Sequence, residues 1–209
     1  MCSILRTSAR RGFATNGGSS SNVDKLEEAF KYSSLADFLA AAATPSSIPK
    51  LSGLPEVVVT GRANVGKSTL LNAVLGRNNL GSLVLVDAPG YGARGREEWG
   101  ELFDHYLENR KELRQVCLLI NGHHGLTEVD KLMIRHLQNL SSKTQLQPII
   151  TKVDLCAENS EEGERTLTTT LFGLKRLGLS INPILCAVTP KHTFGIQAIR
   201  RAMAEACTR

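Results

Sequence analysis

From Glu56 onward the chain alternates two hydrophobic patterns. Short β-branched or apolar runs read as buried strands: Glu56–Thr60 (EVVVT), Ser82–Val86 (SLVLV), Val116–Ile120 (VCLLI), Pro148–Thr151 (PIIT) and Asn182–Ala187 (NPILCA). Between them, apolar residues recur at helical spacing. Ser68–Leu75 is a helix stopped by Gly76, and Arg96–Leu113 is amphipathic through Trp99, Leu102, Phe103, Tyr106 and Leu107. Thr127–Leu140 carries a stripe of Val129, Leu132, Met133, Leu137 and Leu140, with Thr127 and Asp130 spaced for a capping box at its start. Leu167, Leu171, Leu174 and Leu177 mark a helix ended by Gly178, and Phe194–Ala206 forms a last one. Strands and helices in this order predict an α/β fold, with a mainly parallel five-stranded sheet between two helical layers. Ligands of such sheets bind at the carboxyl ends of the strands.

Upstream of Glu56 the pattern weakens. Asp24–Ala43 reads as a helix with a patchy apolar face of Leu26, Phe30, Leu35, Phe38 and Leu39, and Pro45, Pro49 and Pro55 make an extended lead-in. Residues 1–23 hold Arg6, Arg10 and Arg11, many serines and no acid. Those are the marks of a disordered mitochondrial presequence, and RGFAT is similar to a matrix-protease site cut near Phe13 or Ala14. The chain therefore divides into 1–23, a helix and Pro-rich linker over 24–55, and a nucleotide-binding domain over 56–209. The presequence takes three of the five net positive charges, so the remainder is nearly balanced and argues against a protein that coats nucleic acid. The chain contains no apolar run of eighteen residues and predicts no membrane span. Its five cysteines are dispersed without a Cys-x-x-Cys pair, which speaks against a disulfide framework or zinc site and fits a reducing compartment such as the mitochondrial matrix.

The chemistry sits between these elements. Gly61-Arg62-Ala63-Asn64-Val65-Gly66-Lys67-Ser68-Thr69 fits the phosphate-binding loop, with a strand before it and a helix after it. Its glycines let the backbone wrap phosphate oxygens, the helix N-terminus directs N–H groups at the anion, Lys67 reaches the β and γ phosphates, and Ser68 binds Mg²⁺. Asp87-Ala88-Pro89-Gly90 follows a strand, so that Asp87 serves Mg²⁺ and Gly90 swings toward the γ phosphate. Thr151-Lys152-Val153-Asp154 ends the fourth strand. The Asp154 carboxylate accepts from guanine N1–H and N2–H₂, a donor pair that adenine lacks, while the Lys152 stem covers the base. Leu185-Cys186-Ala187 ends the fifth strand, where a backbone N–H meets guanine O6. Together these make a P-loop NTPase of the αβα sandwich type, selective for guanine.

The combination of PEVVVTGRANVGKSTLLNAVLG, LVLVDAPGYG, Trp99, YLENRKELRQVCLLINGHHGLTEVD and ITKVD resembles the EngB-type (YihA/YsxC) GTP-binding proteins, within the translation-factor-related GTPases, over roughly Leu54–Ala206. The resemblance implies GTPase activity with catalytic Lys67, Mg²⁺, and a role in assembling the large ribosomal subunit, here in mitochondria. It also implies a switch I loop and a further strand between the first helix and LVD, yet only Arg77–Val86 separates Gly76 from Asp87. The Thr-bearing loop is missing. Asn64 matches a residue that helps hold K⁺ in related GTPases, but the backbone that completes that site is absent, so K⁺ binding is weakened. Ala63 and Asn121 replace Ser and Asp, and Tyr91 stands where other GTPases carry a catalytic glutamine.

A direct connection from the first helix to the second strand is feasible, since Gly76–Ser82 spans roughly 23 Å at about 3.3 Å per residue. Its expected cost is an unpaired outer edge on SLVLV and a less stable domain. Two functions remain beside an impaired GTPase: a nucleotide-dependent scaffold without turnover, and a P-loop kinase, which TKVD and the lack of a lid disfavour. The adjacent His123 and His124 point apart and do not suggest a metal, and His136 reads as a partly buried packing residue. Arg94, Arg96, Arg110 and Lys111 could meet ribosomal RNA or water equally well.

Overall fold

Alternate residues along the central strands face opposite helical layers. Val58, Val116, Leu118 and Ile120 are buried on one side of the sheet, and Val57, Val59, Cys117 and Leu119 on the other. The structure, a computed structural model, describes residues 2–7, 36–42, 44–49, 53–75, 83–91, 97–140, 144–158, 160–179 and 181–208. Its strands are β1 (Cys2–Thr7), β2 (Ala36–Ala42), β3 (Glu56–Gly61), β4 (Leu83–Asp87), β5 (Leu113–Asn121), β6 (Gln145–Thr151), β7 (Ile184–Leu185), β8 (Ala187–Val188) and β9 (Thr193–Phe194). Its helices are α1 (Lys67–Leu75), α2 (Glu97–Asn109), α3 (Glu128–Leu140), α4 (Val153–Glu158), α5 (Ser160–Arg176) and α6 (Ile196–Cys207), with a 3₁₀ turn at Pro45–Ser47.

The seven-stranded sheet runs β2-β1-β4-β3-β5-β6-β7. The five strands from β4 to β7 are mutually parallel, as the alternating pattern predicts. Leu70, Leu71 and Val74 of α1 and Ile199 and Met203 of α6 fill one face. Leu102, Tyr106 and Leu107 of α2, Ile134 and Leu137 of α3, and Leu174 of α5 fill the other. Arg200 of α6 is buried and donates from Nε to Val74 O at 3.0 Å and from an Nη to Ala73 O at 2.8 Å. It thereby satisfies carbonyls at the end of α1 that the helix cannot pair internally. Burial depresses its pKa.

Several expectations change. Cys2–Thr7 is not disordered but pairs antiparallel with β4, and Ala36–Ala42 is not helical but pairs antiparallel with β1. The remainder of the expected presequence and helix, residues 8–35, lies outside the described residues. Helical spacing at Phe38 and Leu39 is overridden by strand pairing with β1, which itself lies on the open side of β4 and supplies a ladder that an isolated helix does not. That side of β4 is therefore covered, contrary to the expected free edge. Ile4 joins a core with Val58, Val86 and Leu102, and Ala42 is buried where it lines a small cavity with them, so the added strands bring apolar side chains as well as hydrogen bonds.

Smaller shifts occur further on. The helix read as Arg96–Leu113 ends at Asn109, and Leu113 opens β5 after a turn. On α3, Val129 and Leu132 of the expected stripe are 42% and 62% exposed, and the inward face is Asp130, Ile134 and Leu137 instead. The fifth parallel strand is only Ile184–Leu185, with Ala187–Val188 and Thr193–Phe194 pairing as a separate hairpin. Phe194 thus precedes the last helix and stays exposed.

Arg110, a candidate for RNA contact by sequence, turns inward. Its guanidinium pairs with Glu56, buried at the start of β3, donating from Nε at 3.0 Å and from a second nitrogen, and Tyr106 donates its hydroxyl to the same carboxylate. The Arg110 guanidinium also lies 5.5 Å from the Tyr106 ring centroid. Hydrogen bonding to Glu56 raises the arginine pKa further. His136 is half-buried and bonds Asp104 at 2.7 Å rather than only packing.

Candidate functional site

The site lies where β3, β4, β6 and β7 end. Gly61 closes β3 so tightly that a methyl group there would sit 2.8 Å from Val65 Cγ1 and 2.9 Å from Leu119 Cβ. Only glycine lets the loop turn back over the sheet at that point. Arg62 through Gly66 then form a non-helical turn, with Gly66 at φ 100 and Asn64 at φ 62, and α1 begins at Lys67. Ala63, Asn64, Ser68 and Thr69 are exposed, and Val65 is buried. The first turn of α1 has N–H groups without intrahelical partners, an arrangement that favours anions.

The second loop docks on the first. Lys67 Nζ forms an ion pair with Asp87 Oδ1. Ala88 N donates to Val59 O at 3.0 Å, and Tyr91 N donates to Gly61 O at 3.3 Å. Pro89 and Gly90 are partly buried between these anchors, and a Cβ on Gly90 would lie 3.3 Å from Ala63 N. Lys67 and Asp87 thus pair opposite charges across the first two loops.

The third loop is tied to the first by two bonds. Thr151 Oγ1 donates to Val65 O at 2.6 Å, and Lys152 Nζ donates to Asn64 O at 2.9 Å. Lys152 and Asn64 are the two non-glycine residues with positive φ among the described residues, at 58 and 62. Each such backbone costs of order 1–3 kcal/mol and persists where its surroundings fix it. The bond between the two is part of that fixing. Asp154 opens the first turn of α4 with Val153, whose N donates to Cys186 O at 3.3 Å. Burial, and then the Asp154 charge, push the Cys186 thiol up to about 12 and raise that of Cys156 as well. The Val153 bond places the start of α4 beside the Leu185–Ala187 segment. Cys186 N donates to Ile150 O at 2.8 Å within the sheet, so the backbone N–H expected to face a base in this segment is not that of Cys186.

Two features escaped sequence reasoning. Asn121 Oδ1 accepts from His123 N at 3.0 Å and His124 N at 3.3 Å, shaping the turn after β5. Asp130, read only as a capping residue, is fully buried and reaches both Arg62 and Tyr91. Nothing in its spacing signals that second task. No group of three or more His, Cys, Asp or Glu side chains able to hold a metal occurs among the described residues.

A family model described as "50S ribosome-binding GTPase" matches residues 56–82. A "Probable GTP-binding protein EngB" from Geobacter metallireducens is 32% identical over 167 residues, covering 68% of this chain and 80% of its own. The protein so described from Rickettsia akari is 30% identical over 201 residues, 83% of this chain and 89% of its own. Among solved structures, a probable GTP-binding protein engB superimposes with a TM-score of 0.54 at 17% identity, over 73% of this chain and 98% of that one. Era bound to MgGDPNP and nucleotides 1506–1542 of 16S ribosomal RNA gives 0.56 at 16% identity, over 73% of this chain and 56% of that one. At these identities the structural likeness shows the fold.

Proposed function

Since the chain belongs to the EngB-type GTP-binding proteins, we propose that it binds GTP and GDP and serves ribosome assembly in mitochondria, with hydrolysis impaired by a missing switch I. The observation that carries guanine-nucleotide binding is the convergence of three loops, in which Thr151 and Lys152 bond the carbonyls of Val65 and Asn64 while Lys67 meets Asp87. That arrangement brings together the ammonium of Lys67, the start of α1 and the first turn of α4, which carries Asp154. Lys67 exchanges Asp87 for the β and γ phosphates, and the Val65–Thr69 backbone cradles them. Ser68 and Asp87 would hold Mg²⁺ through a hydroxyl and a carboxylate, the hard oxygen donors that suit it. Mg²⁺ would supply charge neutralisation at the phosphates.

Impaired turnover is supported by chain length. Helix α1 leads away from the nucleotide, and only residues 76–82 precede β4. Returning alongside a nine-residue helix and coming back again takes about 27 Å at 1.5 Å per residue each way. Seven extended residues span only about 23 Å. A loop that places a threonine on Mg²⁺ does not fit in that length. Asn64 would offer K⁺ an incomplete shell for the same reason. A scaffold without turnover is the second reading and rests on this connection.

Purified chain titrated with GDP, a slowly hydrolysed GTP analogue and ATP, with and without Mg²⁺, tests the proposal. GDP and the analogue are expected to bind within about threefold of each other, because the lost switch I N–H contributes about 1.5–3 kcal/mol to the γ phosphate alone. ATP is expected to bind far more weakly, and phosphate release to stay near background with K⁺. Equal binding of ATP would sink the guanine reading. Ordinary K⁺-stimulated turnover would sink the claim of impairment.

Targeting rests on Arg6, Arg10 and Arg11 in an acid-free segment. Replacing all three with glutamate is expected to leave the protein outside mitochondria, as read by fractionation. Import at the original level would remove the mitochondrial assignment. The ribosomal partner rests on the matched family and on Era, which binds ribosomal RNA. No described helix is long and apolar enough to cross a membrane.

A further inference from the structure

A fully buried carboxylate at the third position of a helix is more than a cap requires. Asp130 divides its two oxygens between different tasks. Oδ2 accepts from Thr127 N at 3.0 Å and Thr127 Oγ1 at 2.7 Å, and Asp130 N donates back to Thr127 Oγ1 at 3.3 Å, which completes the capping box of α3. Oδ1 faces away from that box. It accepts from Arg62 Nε at 3.0 Å and from the Tyr91 hydroxyl at 2.9 Å. Removing a carboxylate from water is costly unless its oxygens are paired, and here partners from three separate segments pair them.

Arg62 belongs to the phosphate loop, and Tyr91 follows the Asp87–Gly90 loop directly. Their backbones also meet in a parallel bridge. The second loop is thus held at three levels: Tyr91 N on Gly61 O at 3.3 Å, Gly90 against Ala63, and the Tyr91 ring end on Asp130. Burial and the Asp130 charge keep the Tyr91 phenol protonated, so it remains a donor throughout the physiological range. The hydroxyl that stands at the position of a catalytic glutamine points at a buried carboxylate and is engaged there.

We propose that Asp130 is a positioning residue, which clamps Tyr91 and Arg62 together and so fixes the Gly90 N–H where a γ phosphate would meet it. The inference rests on the guanine-nucleotide reading of the site, and it assigns Tyr91 to loop placement, not to orienting water. GDP makes no contact with the Gly90 N–H, so the clamp matters for the triphosphate alone.

Two measurements separate the clamp from the nucleotide reading. In nucleotide-free protein, Tyr91→Phe is expected to speed amide exchange of residues 87–91 at least tenfold while leaving β3 unchanged. Unchanged exchange over residues 87–91 would show that no clamp exists. In titrations, Tyr91→Phe and Asp130→Ala are each expected to weaken a slowly hydrolysed GTP analogue about fivefold relative to GDP, the worth of one lost hydrogen bond. The double variant is expected to shift that ratio no further, because both changes break one connection. Asp130→Ala also removes the acceptor for Thr127 and lowers the melting temperature, whereas Tyr91→Phe keeps the cap intact and reports the ratio without that loss. Faster exchange with an unchanged or increased analogue preference would overturn the positioning role. If the unmodified chain binds neither nucleotide, the proposed function and the positioning role both fall, and the exchange result still decides whether the clamp exists.

Discussion

Asp154→Asn is expected to turn the base preference of the site from guanine to xanthine. On the proposed reading the carboxylate accepts two hydrogen bonds from the N1–H and N2–H₂ edge of guanine. An amide in its place meets N2–H₂ with a donor, while the carbonyl that xanthine carries there accepts from it. Losing a charge-assisted pair costs about 1.5–3 kcal/mol, or about ten- to over a hundredfold in guanine nucleotide affinity. A competing effect is small. Asp154 also lies in the first turn of α4, where a negative charge stabilises by about 0.3–1 kcal/mol, but that helix has only six residues. Calorimetric titration with GDP and xanthosine diphosphate checks the exchange, and a melting curve separates it from loss of fold. Equal losses for both bases would mean that Asp154 does not read the ligand.

Arg110→Ala is expected to destabilise the fold by about 3–5 kcal/mol, since it leaves Glu56 buried with its counter-charge gone. The opposite change, Glu56→Ala, should cost less. Arg110 sits on a turn with its side chain 16% exposed and can swing toward water, whereas Glu56 lies fully buried in a strand. At about 2–4 °C per kcal/mol for a chain of this size, Arg110→Ala lowers the melting temperature by about 10 °C. A shift below about 2 °C would show that the pair is not held in the interior. Nucleotide affinity is expected to change little in folded Arg110→Ala protein, because the pair lies at the far end of β3 from the phosphate loop.

The difference between what could be read from the chain and what could not follows sequence distance. The phosphate loop was legible because strand, glycines, lysine and helix are contiguous, and each demand on geometry is local. The parallel sheet was legible because Val57–Val59 and Val116–Ile120 are apolar on both faces, which only a strand covered twice requires. The capping box was legible because Thr127 and Asp130 are three residues apart. The Asp130 bonds to Arg62 and Tyr91 were not, since they span 68 and 39 residues with no periodic signal. Arg110 illustrates the same limit, because a charge on a polar turn reads as solvated until its partner 54 residues away is known. The exposed Leu132 errs in the other direction. It fits the helical period, but Ile134 and Leu137 reach the sheet and it does not. The strand at Cys2–Thr7 was hidden by composition, as arginine and serine content says nothing about a partner strand at Leu83–Asp87.

That terminal strand changes what a processed molecule would be. β1 is the strand partner of β2 on one side and of β4 on the other, and β2 has no other partner among the described strands. A cut near Phe13 would therefore remove two strands at once, because six residues no longer joined to the chain lose the effective concentration that holds them in place. The segment left bare is Leu83–Asp87, four apolar residues and a single charge, with one side of its backbone unpaired. Short runs of high β-propensity and low charge on a sheet edge are templates for self-association. The processed form would thus depend for its solubility on whatever next covers that edge, and its concentration, more than its melting temperature, would decide how long it lasts.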